Sequence, residues 1–152
     1  MLVVSDASPI NILIRIGYVD ILPALFERIL IPSTVADEMR HPQTPKIVQD
    51  WLAAPPAWFE VKTATHIDAA LDVDAGEREA ICLAIELKAD LLLVDDLKAR
   101  RAAQRLKLPI TGTIGVLKTG IERGLVDRKT AADRLRATDF SVSDELLNEL
   151  LE

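Results

Sequence analysis

Acidic residues fall at places in this sequence where carboxylates do chemistry. Asp6 ends the apolar run of "LVVSD", and Asp95 and Asp96 end "LLLVDD". Glu38 lies in "STVADEM" and Glu77 in "DAGEREAICLA". An Asp after a strand and before a helix can simply cap the helix. At "LLLVDD" one aspartate can take that job and leave the other free. The order favours Asp95 turned to a site with Asp96 close behind, although either can take either role.

Helix periodicity sharpens the case for Glu77. At roughly 100° per residue, Ala80, Ile81, Ala84, Ile85 and Leu87 all fall within about 80° of Glu77. Glu77 therefore sits in the middle of the core-facing stripe. Glu79 and Glu86 fall roughly opposite and are expected to be solvated. A carboxylate on a buried stripe needs a partner. One partner is a capping box with Asp74. The other is a meeting across the sheet edge with Asp6 and the Asp95/Asp96 pair. Glu38 lies near the inward side marked by Val35 and Met39, whereas Asp37 points away.

Four carboxylates brought together would repel and raise one another's pKa values. Hard divalent cations remove that penalty, and Mg²⁺ takes oxygen ligands together with waters and substrate phosphates. Mg²⁺ on such a cluster points to phosphodiester hydrolysis. Haloacid-dehalogenase chemistry needs a second aspartate two residues after the first, where this chain has Ser8. A receiver-type site needs paired acids after the first strand, and only Asp6 is there.

The elements that must position these acids follow from pattern. "LVVS", "ILIP", "LLLV" and "LPITG" read as buried strands and "WFEVKT" as an edge strand. Helices alternate with them. Ser8 is expected as an N-cap with Pro9 at the first helical position. Further helices read over 74–89, over "LKARRAAQRLK", and after Ser143 in "DELLNELLE". The pattern predicts a three-layer α/β fold with a central parallel sheet flanked by helices. Sites in such sheets gather beyond the carboxyl ends of the strands.

The 152 residues fit one domain, 1–152, with a C-terminal helical extension from about 125. The formal net charge of −6 argues against nucleic-acid binding by bulk electrostatics but suits acids that hold cations. A single cysteine, Cys82, excludes an internal disulfide. With no apolar stretch long enough to span a bilayer, the expectation is a cytoplasmic protein. Lys98, Arg100 and Arg101 follow the acids and offer a solvated face, phosphate contacts or, at Arg100, an ion pair with an acid of the cluster. Trp51 and Trp58 read as packing residues, and His41 and His66 as surface ones.

In the order Asp6 in "SDASPI", Glu38 in "IPSTVADEM", Glu77 in "DAGEREAICLA", "LLLVDD" with "KAR", and "ITGTIGVL", the sequence resembles the PIN domain. It is most similar to an uncharacterised prokaryotic branch related to VapC-type toxins. The resemblance implies a Mg²⁺- or Mn²⁺-dependent endoribonuclease, the toxin of a type II toxin–antitoxin pair. It also implies an RNA substrate, a cognate antitoxin and a homodimer. It places Asp6, Glu38, Glu77 and the Asp95/Asp96 pair as catalytic acids, with Asp6, Glu77, Asp95 and Asp96 as metal ligands. Ser8 and Thr113 match polar positions beside the site. The third acid, often aspartate in the family, is Glu77 here. The alternative is a non-catalytic PIN-like module that binds an antitoxin or another protein.

Overall fold

A computed structural model describes residues 1–140 and 143–151 of the chain. Five strands form one sheet: β1 (Leu2–Ser5), β2 (Arg28–Pro32), β3 (Phe59–Lys62), β4 (Leu91–Leu93) and β5 (Ile110–Thr111). Every pairing is parallel and the order is β3-β2-β1-β4-β5. The three-layer α/β fold expected from the sequence is the fold observed, with β3 at an edge.

Nine helices are described: α1 (Ala7–Arg15), α2 (Ile21–Phe26), α3 (Ser33–Met39), α4 (Lys46–Ala53), α5 (Ala75–Glu86), α6 (Leu97–Arg105), α7 (Thr113–Glu122), α8 (Arg128–Arg136) and α9 (Asp144–Leu151). Ser143 Oγ accepts the Leu146 amide at 3.1 Å, as expected of the cap before α9. The end of that expected helix, at 152, lies outside the described residues.

Alternation along the strands divides the core into two layers. Val3, Ile29, Ile31 and Leu93 face α1–α4 and α7–α9, while Val4, Leu30, Leu92 and Val94 face α5 and α6. A strand buried on both sides has no polar face, which is why "LLLV" reads as a continuous apolar run. Leu93 is fully buried, and cutting such a side chain to alanine costs about 2–5 kcal/mol. From the C-terminal helices, Ala131, Ala132, Leu135, Leu147 and Leu150 join the first of these layers.

Successive strands run outward from β1 through β2 to β3, and then the chain crosses back to place β4 on the other side of β1. The direction of growth therefore reverses between β1 and β4. A crevice opens at the carboxyl ends of the two strands at such a reversal. Asp6 follows β1 and the Asp95/Asp96 pair follows β4, so the topology brings both to this crevice. The Asp6 amide donates to the Leu93 carbonyl at 2.9 Å and fastens the two strand ends together.

Two expectations about exposure are corrected. Glu79 is not solvated: it is 4% exposed and accepts hydrogen bonds from Ser33 Oγ, the Thr34 amide and the Ala64 amide. Ile85, expected on the buried stripe, is 47% exposed. Helix α5 packs on the sheet with one side and on α3 with another, so its first turns are covered nearly all round while its last turn emerges. A single inward stripe describes a surface helix and fails for one buried on two sides. Glu86 is exposed as expected, with its carboxylate on the Thr65 amide and hydroxyl.

A candidate metal-binding cleft

The crevice is a cleft of about 670 Å³. Asp6, Ser8, Glu38, Glu77, Asp95 and Asp96 all line it, and so do Asn11, Arg15, Asp74, Asp139 and Phe140. The five acids singled out in the sequence therefore meet on one surface, carried by four separate parts of the chain.

Asp6 occupies the position that caps α1, yet its side chain makes no capping hydrogen bond. It is 6% exposed. Burial, with repulsion from Glu77, Asp74 and Glu38, pushes its pKa up to about 7 against the opposing hydrogen bond from the Ala7 backbone. Ser8 does not cap α1 as expected, because the helix begins at Ala7, two residues before Pro9, and Asp6 takes the cap position. Its hydroxyl instead donates to Asp95 Oδ2 at 2.7 Å.

Glu77 fulfils both alternatives that its sequence position offered. It completes the capping box of α5: its amide donates to Asp74 Oδ1 at 2.8 Å, and its Oε1 accepts the Asp74 amide at 3.2 Å. It also lines the cleft at 8% exposure. Burial and the charges of Asp74 and Asp96 push its pKa up to about 7, although the Asp74 amide favours the ionised form.

Glu38 is exposed at the residue level, yet partial burial of its carboxylate and the charge of Asp74 raise its pKa. It approaches the N-terminal turn of α5 where Gly76 leaves space for it.

The aspartate pair divides its work, with the cap taken by the second of the two. Asp96 caps α6, accepting the Ala99 amide on Oδ2 at 3.0 Å, and its charge acts on Glu77. Asp95 accepts three hydrogen bonds, from Ser8 Oγ, the Thr113 amide and Thr113 Oγ1, each at 2.7 Å. Thr113 is fully buried at the start of α7, where the helix end favours an anion. Asp95 thus ties α1 and α7 to the end of β4.

The basic residues after the pair separate. Lys98 pairs with Asp72 at 2.9 Å and Arg101 is exposed. Arg100 donates to the Val94 carbonyl at 2.9 Å and forms no ion pair with the cluster. Trp51 and Trp58 pack with Phe59, their ring centroids 5.8 Å apart, at the start of β3 and away from the cleft.

The sequence reading missed Asp74, Asn11, Arg15 and Asp139 as cleft residues. Asp74 was visible only as a cap. Ser8, Asn11 and Arg15 recur at helical spacing in an otherwise apolar helix, a polar stripe that could have marked the wall. Asp139 joins through an ion pair of 2.7 Å with Arg15, 124 positions away, for which no local pattern exists.

The donor set is all oxygen, which suits a hard cation rather than one that prefers sulfur. Among the described residues no three acids, histidines or cysteines form a ready-assembled ligand set. Mg²⁺ fits such a site, since it is commonly held by one or two carboxylates and keeps several waters. Two carboxylates with pKa values pushed up by burial and by repulsion from neighbouring acids are the groups such a cation would relieve.

Among the described residues no helix is long and apolar enough to cross a membrane. The structure is similar to that of a PilT N-terminus domain protein from the hyperthermophilic archaeon Sulfolobus solfataricus P2. The TM-score is 0.56 at 19% identity, covering 80% of this chain and 95% of the other. No curated protein matches the sequence. The DUF3368 family model, described as a PIN domain, matches residues 2–152, and the chain belongs to the PIN-domain family.

Proposed function

We propose that the chain is a Mg²⁺- or Mn²⁺-dependent endoribonuclease, the toxin of a type II toxin–antitoxin pair. It would act in the cytoplasm as a homodimer that a cognate antitoxin holds in check. PIN domains are commonly nucleases. The observation that carries the proposal is the burial of Asp6 and Glu77 side by side in one cleft lined by further acids, with no ion pair to either among the described residues. An arrangement so costly to the apo fold is suited to catalysis.

Asp6, Glu77 and Asp96 would hold the cation, with Asp95 bracing the end of β4 behind them. When bound, the cation supplies neutralisation of phosphate charge and acidification of water. Glu38, an exposed acid of the cleft, is placed to take a proton from attacking water, and its raised pKa makes it a stronger base than an ordinary carboxylate. Ser8 and Thr113 hold Asp95 in one rotamer, and the Asp6 amide keeps the two strand ends in register. The whole of 1–152 is taken as one PIN unit.

The test is cleavage of single-stranded RNA and tRNA by purified chain with Mg²⁺ or Mn²⁺, paired with growth of cells expressing it. Metal-dependent cleavage and toxicity, both lost in Asp6→Asn, are expected. No cleavage by wild type, together with toxicity that survives Asp6→Asn, would overturn the proposal in favour of a binding module.

A further inference from the structure

Among the described residues, Arg15 is the only basic one lining the acidic cleft. It stands nine residues after Asp6, roughly 13 Å along α1, a separation that suits contact with a phosphate flanking a scissile one rather than with the scissile one itself. At the other end the cleft shares Asp96 and Leu97 with a second groove of about 770 Å³. That groove carries Lys98, Arg101 and Arg105. Their spacing of three and four residues puts them within about 60° of one another on α6, and all three are exposed.

A chain of net charge −6 therefore sets cations at both ends of its acidic cleft. Arg15 and Lys98 each rest on a highly exposed carboxylate, Asp139 at 85% and Asp72 at 92%. Exposed pairs contribute little, and a phosphate offers arginine a bidentate partner in exchange. Leu97 and Leu106 are also exposed in the groove and give bases or riboses an apolar surface. An acidic peptide would satisfy the α6 row but has no reason to cross the cleft between the rows.

We propose that a single RNA strand crosses the cleft with its flanking phosphates held by Arg15 at one end and by Lys98, Arg101 and Arg105 at the other. The proposal rests on the ribonuclease activity proposed above. Asp72 and Asp139 occupy two of these cations until RNA displaces them.

The test measures binding of a labelled single-stranded RNA of about 12 nucleotides to the full Asp6→Asn chain with Mg²⁺, across a salt series. Adding Arg15→Gln, or Arg101→Gln with Arg105→Gln, is expected to weaken binding roughly tenfold and to reduce the salt slope by about 0.7 per cation removed. Asp139→Ala and Asp72→Ala should tighten binding about two- to fivefold. In the Asp6 background-free enzyme, the arginine losses should fall on KM rather than kcat. If natively folded variants bind as tightly as their parent, with an unchanged salt slope, while wild type cleaves RNA, the path is wrong and the nuclease stands. If neither parent binds nor wild type cleaves RNA, both are overturned.

Discussion

Glu38 and Gly76 are fitted to each other. A Cβ at position 76 would collide with Glu38 Oε1, so α5 carries glycine where a carboxylate from α3 reaches its first turn. Gly76→Ala should therefore separate activity from stability. Alanine is ordinarily favoured over glycine in a helix by about 0.5–1 kcal/mol, and the displaced group is the far end of a flexible side chain. Melting should shift by only a few degrees, while RNA cleavage drops roughly tenfold or more. Adding Glu38→Gln to Gly76→Ala should cost little further activity, as a double-mutant cycle would show.

Asp6→Asn should stabilise the metal-free chain as it abolishes cleavage. A carboxylate moved from its usual 3.8 to about 7 disfavours the folded state at neutral pH by an energy on the order of 3–4 kcal/mol, shared with Glu77. The variant's melting temperature at pH 8 without divalent ions should rise by roughly 5–10 °C. A lower melting temperature there would mean that the charge on Asp6 does not strain the fold.

The pH dependence of the wild-type chain follows with a definite sign. Asp6 and Glu77 bind protons more tightly folded than unfolded, since both pKa values are raised to about 7. Their contribution to stability therefore falls as pH rises from about 4 to about 7 and levels off above that. Mg²⁺ or Mn²⁺ should raise the melting temperature at pH 8 and have little effect at pH 5, where protons compete. Calorimetry at the two pH values, with and without chelator, measures this directly.

Glu79 should behave in the opposite way. Burial opposes its ionisation, but the Thr34 and Ala64 amides and the Ser33 hydroxyl outweigh burial and hold its pKa below the usual carboxylate value. Its contribution is present above the unfolded pKa and lost as pH falls through the folded one. Glu79→Gln should cost roughly 2–3 kcal/mol at pH 7, and the gap from wild type should close in acid. Denaturant titrations at pH 7 and pH 3 test it.

The contrast between Glu77 and Glu79 shows what the sequence could convey. Strand positions were legible because a strand buried on both faces is apolar throughout, as at Leu91–Leu93. Asp6 and the aspartate pair were legible because each ends an apolar run just before a helix, at the carboxyl end of a parallel strand where sites gather. Glu77 lay on a stripe that the helix period resolves. Glu79 was misplaced because its partners, Ser33, Thr34 and Ala64, come from α3 and a distant loop, and no period within α5 reports them. Arg15 and Asp139 meet only through the packing of the C-terminal helices, and the different duties of Asp95 and Asp96 depend on Thr113, 18 residues on.

Asp95 has the opposite standing from Asp6. Its three donors join α1, α7 and the end of β4, so it serves as a rivet whether or not chemistry occurs. A relative that abandoned catalysis could shed Asp6 and fold more firmly, but it would have to keep Asp95 to hold its own frame. Asp95 in "LLLVDD" is thus a signature of architecture, and the proposed enzymatic competence is to be judged at Asp6, Glu77 and Asp96.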